Sequence, residues 1–236
     1  MKTIGIIPAR LQSTRLVNKA LLKFNNKPLL QHTYEAVKNS SLFNRIYIAT
    51  DSKLIQDTAQ NFNAEVIMTS KENKNGTERC IDVVQKLSKN IENDDLVINI
   101  QCDEPFLEVK HFKKIIQQMN SDVQIATLMS PIKKEELNNP NTVKVSVDKN
   151  FIANKFSRLL QNFKPKEKLY KHIGIYAYKK KTLLKLSKLK EVKIEKKESL
   201  EQLRWLKNNY KVHCSPIREN IVSINTQEDV KKVLKK

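Results

Sequence analysis

Long hydrophobic runs are absent from this chain: no apolar stretch approaches the ~20 residues that a membrane-spanning helix needs. Met1-Lys2-Thr3 leads directly into a strand pattern, which leaves no room for a cleavable leader and sets the expectation of a cytoplasmic protein. Cysteine is scarce. Cys80, Cys102 and Cys214 are three in number and widely separated, which fits neither a disulfide framework nor a zinc spacing and points to a reducing compartment. Internal repeats and long linkers are missing too. Acidic residues are the minority, with Asp plus Glu 25 against Lys plus Arg 44 and a formal net charge of +19. Such a surplus can signal nucleic acid or an acidic membrane. Here it is mostly lysine spread along the chain, with no arginine-rich arm and no nucleic-acid motif. The expectation is therefore neither a nucleic-acid nor a membrane partner, and a field that steers anionic substrates.

What the chain does contain is the alternation of an α/β protein. At 236 residues, with 39% hydrophobic and 29% charged, it can bury a substantial core as a soluble globular protein. Ile4, Ile6 and Ile7 form a short apolar run ending at Pro8, as in a buried parallel strand with a loop leaving its carboxyl end. That loop carries Arg10, Arg15 and Lys19, the hydroxyls of Ser13 and Thr14, and no acidic residue. Arginine forks and a lysine point charge suit polyphosphate oxygens, and open α/β sheets bind ligands at this position. Pro28 opens a helix over Leu29 to Val37, and Arg45 to Asp51 reads as the second strand, with Asp51 or Ser52 capping the next helix. Glu65 to Met68 is the third strand, Gly76 opens another helix, and Asp95 to Ile100 is a fourth strand apolar enough to lie centrally. Such alternation predicts a mostly parallel sheet.

Beyond Pro105 the rhythm changes. A helix around Phe112 to Met119 precedes strands at Val123 to Met129, Val143 to Val147 and Ile152 to Phe156, and another strand follows at Ile173 to Tyr178. This reads as an antiparallel subdomain, about 130–178, inserted into one domain spanning 1–236. Helices are expected at Lys179 to Ser187, from about Leu200 to Asn208 and from Gln227 to Lys235, with 162–171 and 185–197 as charged loops.

Two constellations carry chemistry. Asp103, in Gln101-Cys-Asp-Glu-Pro105, follows the central strand and would stand at the sheet edge beside the basic loop, where a carboxylate can hold Mg2+ bridging phosphate oxygens. Gly76 can let the backbone approach a ligand, with Arg79 one helical turn on. The second set is Asn141, Lys144, Arg158, His172, Tyr176, Glu201, Gln202 and Arg204. Taken singly, each has an ordinary structural reading, and Glu201 with Arg204 at i, i+3 suits a helix ion pair.

The order of the whole set decides between these readings. Ile-Pro-Ala-Arg10, Ser-Thr-Arg15 with Lys19, Gly-Thr-Glu-Arg79, Gln101 with Asp-Glu-Pro105, Val-Lys144, Phe-Ser-Arg158, His172-Ile-Gly-Ile-Tyr176 and Leu-Glu-Gln-Leu-Arg204 occur in one sequence. That series resembles the CMP-Kdo synthetases, the 3-deoxy-manno-octulosonate (Kdo) cytidylyltransferases of lipopolysaccharide assembly, over essentially the full length. The resemblance implies a Rossmann-like nucleotidyltransferase fold with a smaller antiparallel part used for homodimerisation. CTP, an acidic sugar and Mg2+ would be the ligands. Arg10, Ser13, Arg15 and Lys19 would bind the triphosphate, and Gly76, Arg79 and Gln101 would shape the cytidine site. Arg158, His172, Tyr176, Glu201 and Gln202 would hold the sugar. Asp103 and Asn225 would meet the metal, and Arg10, Lys19 and Asp103 would act in catalysis. The anomeric hydroxyl of Kdo would attack the α-phosphate, releasing pyrophosphate.

Four departures from the family pattern fall at the site. The usual Leu-Pro-Gly-Lys-Pro-Leu is Leu16-Val-Asn-Lys-Ala-Leu21, where Asn18 can keep the turn by adopting left-handed geometry. The Gly of Gln-Gly-Asp-Glu-Pro is Cys102, expected to crowd the nucleotide or narrow the sugar pocket. The first Asp of Val-Asp-Thr-Pro-Glu-Asp is Asn225, which offers a carbonyl oxygen without charge and predicts a higher Mg2+ requirement. The segment between Arg158 and His172 is short and lacks the usual Ile-Pro, which marks it as a place for a changed sugar. Transfer to amino-Kdo or another nonulosonic acid, and a weakened nucleotide-binding homologue, stand as alternatives.

Overall fold

β1 (Thr3–Pro8) is buried along its whole length, and its two faces serve two layers. Ile4 and Ile6 pack with the side chains of one core cluster and Ile7 with those of the other, which is why the strand reads as a continuous apolar run. The computed structural model describes residues 1–11, 16, 18–120 and 122–234. After β1 come β2 (Lys23–Phe24), β3 (Lys27–Pro28), α1 (Leu29–Asn39), β4 (Arg45–Thr50), α2 (Lys53–Gln60), β5 (Glu65–Met68), α3 (Gly76–Lys86) and β6 (Leu96–Ile100). The second half runs α4 (Val109–Gln118), β7 (Ile125–Pro131), α5 (Lys134–Leu137), β8 (Lys144–Val147), β9 (Ala153–Ser157), β10 (Tyr170–Lys179), α6 (Lys180–Leu186), α7 (Lys193–Glu198), α8 (Gln202–Lys207), β11 (Val212–Pro216) and α9 (Gln227–Leu234).

Among the described residues, nine strands share one sheet with the path β11-β7-β10-β6-β1-β4-β5, while β8 pairs with β10 and β9 with β8. β1 is parallel to β4 and β6, β4 to β5, and β11 to β7. β10 runs antiparallel to both β6 and β7. The fold is thus α/β and Rossmann-like, with a mainly parallel centre as expected. The chain lays β4 and β5 on one side of β1, then returns to lay β6 on the other. That reversal places a topological switch point between the carboxyl ends of β1 and β6, the position at which open α/β sheets form ligand crevices.

The stretch 130–178 contributes to this same sheet. β7 and the carboxyl half of β10 pair inside it, and the β8–β9 hairpin extends from the first residues of β10. One core layer holds residues of α1, α2 and α4, the other residues of α3, α6 and α8. Among the described residues no helix is long and apolar enough to cross a membrane.

The short β2, β3 and α5 were not expected from the sequence, and two longer elements also depart from its reading. β11 was not expected as a strand. The stretch read as a charged loop over 185–197 contains most of α7, because its inward positions are carboxylates rather than apolar residues. Glu195 and Glu198 are buried at i, i+3 while Lys193, Lys196 and Lys197 face solvent. A hydrophobic-periodicity test is blind to that pattern.

Candidate active site

A cleft of about 1190 Å³ opens at the switch point. Pro8, Ala9 and Arg10 line it from the end of β1, and Gln101, Asp103 and Glu104 from the end of β6. Arg10 is exposed there. The Lys19 ammonium meets Asp103 Oδ2 at 2.6 Å and donates to Asn225 Oδ1 at 3.4 Å. Asn18 holds the loop in the expected left-handed conformation, with φ 53° and ψ 31°. Ser13 and Arg15 lie outside the described residues.

The Lys19 contacts also test whether a metal suits this point. Two oxygen donors, the Asp103 carboxylate and the Asn225 carbonyl, converge on one positive charge. Magnesium prefers oxygen ligands and commonly takes one or two carboxylates with substrate phosphates completing the shell, so the donor set fits. The second donor is neutral. Asp229 lines the same cleft, and its Oδ2 accepts from the Asn225 and Thr226 N–H groups at 2.9 Å at the start of α9.

Gly76, Arg79 and Gln101 form an adjoining wall. Gly76 is the first residue of α3, whose N-cap Asn75 accepts from the Glu78 N–H. A Cβ on Gly76 would stand 2.4 Å from Gln101 Nε2, so only glycine leaves room for that amide. Gln101 Nε2 donates to Asn99 Oδ1 at 3.0 Å. Arg79 is buried and turned toward the sheet edge, where its guanidinium meets Thr69 Oγ1, the Ser70 carbonyl and Asp51.

The opposite wall brings together the residues assigned to the sugar. Arg158, His172, Tyr176, Glu201 and Gln202 all line the cleft. Tyr176 lies between the rings of His172 and Trp205, with centroids at 5.2 and 5.1 Å. His172 is held beside Thr127 Oγ1 at 3.0 Å, and burial, with the Arg158 charge nearby, pushes its pKa down to about 3, which keeps it neutral. Glu201 accepts from the Thr77 N–H at 3.2 Å and from Thr77 Oγ1 at 2.8 Å, and desolvation pushes it up to about 7. The helix ion pair expected between Glu201 and Arg204 is absent from these contacts. Arg204 instead turns to Glu195 at 2.6 Å and Glu78 at 3.3 Å.

This wall is braced by charged side chains bonded to backbone. Buried Lys144 donates to the carbonyls of Asn139 and Arg158, each at 2.7 Å, and desolvation lowers its pKa to about 8. Arg158 Nε donates to the Glu198 carbonyl at 2.8 Å, and Glu198 Oε2 accepts from Ser157 Oγ and the Arg158 N–H at 2.7 Å. Asn162 Nδ2, from the short segment after Arg158, donates to Glu198 Oε1 at 2.9 Å, so that segment is fastened to the wall. Glu104, Glu198 and Ser223 were missed as site residues. Only Glu104 carried a signal, its place beside Asp103.

Cys102 does not crowd the cleft. Its side chain is 7% exposed and packs in the core layer beneath the loop, where burial raises its thiol to about 12. Its carbonyl accepts from Thr33 Oγ1 of α1 at 2.8 Å, which turns the residue away from the ligand side.

A Rossmann-like sheet with a cationic loop and a carboxylate at its switch point, facing a sugar-sized polar wall, defines a nucleotidyltransferase. The cytidylyltransferase family model matches residues 4–218. Curated 3-deoxy-manno-octulosonate cytidylyltransferases are similar from end to end: that of Parabacteroides distasonis is 38% identical, covering 99% of this chain and 97% of the relative. That of Fusobacterium nucleatum is 39% identical, covering 99% and 96%. The chain belongs to the 3-deoxy-manno-octulosonate cytidylyltransferase family. Among solved structures, a CMP:2-keto-3-deoxy-manno-octonic acid synthetase complexed with CTP superposes with TM-score 0.88 at 33% identity, covering 100% of this chain and 98% of that one. A cytidylyltransferase from Leptospira borgpetersenii, at 16% identity and TM-score 0.67, covers 99% and 85% and shares the fold.

Proposed function

We propose that this chain transfers CMP from CTP to the anomeric hydroxyl of Kdo, giving CMP-Kdo and pyrophosphate for lipopolysaccharide biosynthesis. The observation that carries the reading is one cleft joining Arg10 and the Lys19–Asp103 pair at the switch point to His172, Tyr176, Glu201 and Gln202 on the facing wall. The anomeric oxygen bonds to the α-phosphorus, the bond from the α-phosphorus to the bridging oxygen breaks so that this oxygen leaves with pyrophosphate, and the hydroxyl proton passes to solvent. No covalent enzyme intermediate is needed, so catalysis is positioning and charge neutralisation.

Arg10, Arg15, Ser13 and Lys19 hold the triphosphate and offset the charge that builds on pyrophosphate. Gly76 and Gln101 shape the cytidine pocket, with Arg79 fixing the strand ends behind it. Arg158 pairs with the sugar carboxylate, neutral His172 and Tyr176 bear on its ring, and Glu201 and Gln202 bond its hydroxyls. Asp103 and Asn225 would hold Mg2+, which when bound supplies electrostatic stabilisation to the phosphate oxygens. On this reading the chain is a single nucleotidyltransferase domain working as a cytoplasmic homodimer. Its antiparallel part, about 130–178, presents exposed Phe151 and Leu159 for the dimer contact.

The test is pyrophosphate release from CTP and Mg2+ against Kdo, amino-Kdo and sialic acid. Release with Kdo is expected, and Asp103→Asn should abolish it. Release with another acid alone reassigns the sugar, and release with none of them overturns the reading.

A further inference from the structure

Glu104 follows the proposed metal ligand Asp103, is 3% exposed, and holds both of its hydrogen bonds on one oxygen. Its Oε1 accepts from the Gly174 N–H at 2.9 Å and from Ser223 Oγ at 2.7 Å. Its Oε2 is buried and meets no hydrogen-bond partner among the described residues. A buried carboxyl loaded on one oxygen only is costly to maintain, so its place calls for an explanation beyond packing.

The two donors lie on different walls. Gly174 sits where the register of β10 against β7 shifts between Ile173 and Tyr176. The shift is a bulge, a device that re-aims side chains beside a site, and it separates His172 from Tyr176. The backbone groups it releases are collected locally: the Gly174 carbonyl accepts from the Gln101 N–H at 3.0 Å, and the Ile175 carbonyl from Thr127 Oγ1 at 2.7 Å. A Cβ on Gly174 would stand 2.9 Å from Glu104 Oε1, which shows how closely the carboxyl is drawn against this backbone. Ser223 belongs to the segment that carries Asn225, and that segment is further pinned by the Ile224 N–H donating to the Asp103 carbonyl at 2.9 Å.

We infer that Glu104 is a positioning residue that sets the distance between the two halves of the reaction, tying the sugar wall to the metal wall through one oxygen atom. The inference rests on the assignment of Kdo and Mg2+ to this cleft. It assigns Glu104 a hydrogen-bonding role rather than a charge. Glutamine can present a carbonyl oxygen where Oε1 stands and place its NH2 where Oε2 stands, so it keeps both bonds without the negative charge.

The experiment uses the full chain with CTP, Kdo and Mg2+, first establishing turnover by the unsubstituted protein. Absence of that turnover removes the function rather than the positioning role. Given turnover, Glu104→Ala should raise the KM for Kdo and the half-saturating Mg2+ concentration together, each about tenfold, the loss of roughly 1.4 kcal/mol of alignment. Glu104→Gln should restore both to within about threefold. Ser223→Ala, which cuts only the metal-side tie, should raise the Mg2+ requirement while leaving the KM for Kdo within about twofold; it also serves if Glu104→Ala does not fold. Mn2+ binding followed by paramagnetic relaxation reads the metal side without turnover. A Glu104→Gln variant as impaired as Glu104→Ala, or a Ser223→Ala variant that moves the KM for Kdo and spares the metal, overturns the role.

Discussion

Gly76→Ala sets two opposed effects against each other. Gly76 is the first residue of α3 and does not use a positive φ. On backbone grounds alanine should therefore stabilise, by about 0.5–1 kcal/mol for a helical glycine. The added Cβ, however, would stand 2.4 Å from Gln101 Nε2 and 3.3 Å from its Cδ and Oε1. The obstacle is the far end of a flexible side chain, so the chain yields by moving that amide instead of distorting the helix. The Gln101–Asn99 hydrogen bond at 3.0 Å is then lost. Asn99 is fully buried, and leaving its Oδ1 without a donor costs about 1–3 kcal/mol. The net destabilisation is about 0–2.5 kcal/mol, and each kcal/mol lowers Tm by about 2–4 °C at this size. Binding should suffer more than stability, because the displaced amide sits at the cleft: the KM for CTP should rise about tenfold with kcat little changed. Calorimetry gives the first quantity and initial rates the second. The decisive measurement is a double-mutant cycle with Gln101→Ala. If Gly76→Ala acts by moving Gln101, the double variant resembles Gln101→Ala alone. Additive losses in KM would refute the reasoning and leave Gly76 touching the nucleotide directly.

Restoring charge at the metal wall should be visible as well: Asn225→Asp adds a carboxylate 206 residues from Lys19 in sequence but within its reach, and should lower the half-saturating Mg2+ about fivefold to tenfold. An unchanged Mg2+ titration would remove Asn225 from the metal site. Glu201 gives a pH signature. Its pKa is pushed up to about 7 from an ordinary 4.5, so the folded state holds this proton more tightly than the unfolded chain. The stability it contributes is present in full below about pH 4.5 and is lost as pH rises through about 7. Because the side chain is only partly buried, the loss should be about 2 kcal/mol. Glu201→Gln should flatten this slope, so denaturant unfolding at pH 5 and pH 8 should shift in the variant's favour at the higher pH; an identical pH dependence would contradict the assignment.

The parallel half of the fold was legible because its cues are local. β1, β4, β5 and β6 are short apolar runs with turn chemistry between them, and the cap of α2 is Ser52, bonded to the Ile55 N–H at 3.4 Å, one of the two residues the sequence offered for it. A basic loop after β1 and a carboxylate after β6 could be paired from the sequence because each directly follows an apolar strand run. Asn18 was legible too, since asparagine is among the few residues that take left-handed geometry readily. Cys102 was misread. A glycine-to-cysteine exchange beside a ligand suggests crowding, but the sequence does not say which side of the loop the side chain leaves from, and here it enters the core.

The remaining gap has a physical cause. The walls of the cleft are held by polar contacts between residues far apart in sequence: Thr77 to Glu201 across 124 positions, Glu78 to Arg204 across 126, Glu104 to Ser223 across 119. Helix and strand periodicities report only neighbours three or four residues apart on a helix, or directly opposed on paired strands. A buried carboxylate whose partner lies a hundred residues away looks like any surface acid until the fold brings the two together. That is why Glu201 and Arg204 passed for a helix pair, when Glu201 bonds Thr77 and Arg204 reaches Glu78; Glu195 and Glu198 disguised α7 as a loop because carboxylates, not apolar residues, occupy its inward positions. These contacts are also the ones on which geometry depends most, since a buried charge deprived of its partner is strongly destabilising. Removing a charged partner should therefore cost the fold itself, whereas trimming a single hydrogen bond, as Ser223→Ala does, should misalign substrates while the fold survives, and the Glu104 and Ser223 variants are placed to separate the two effects.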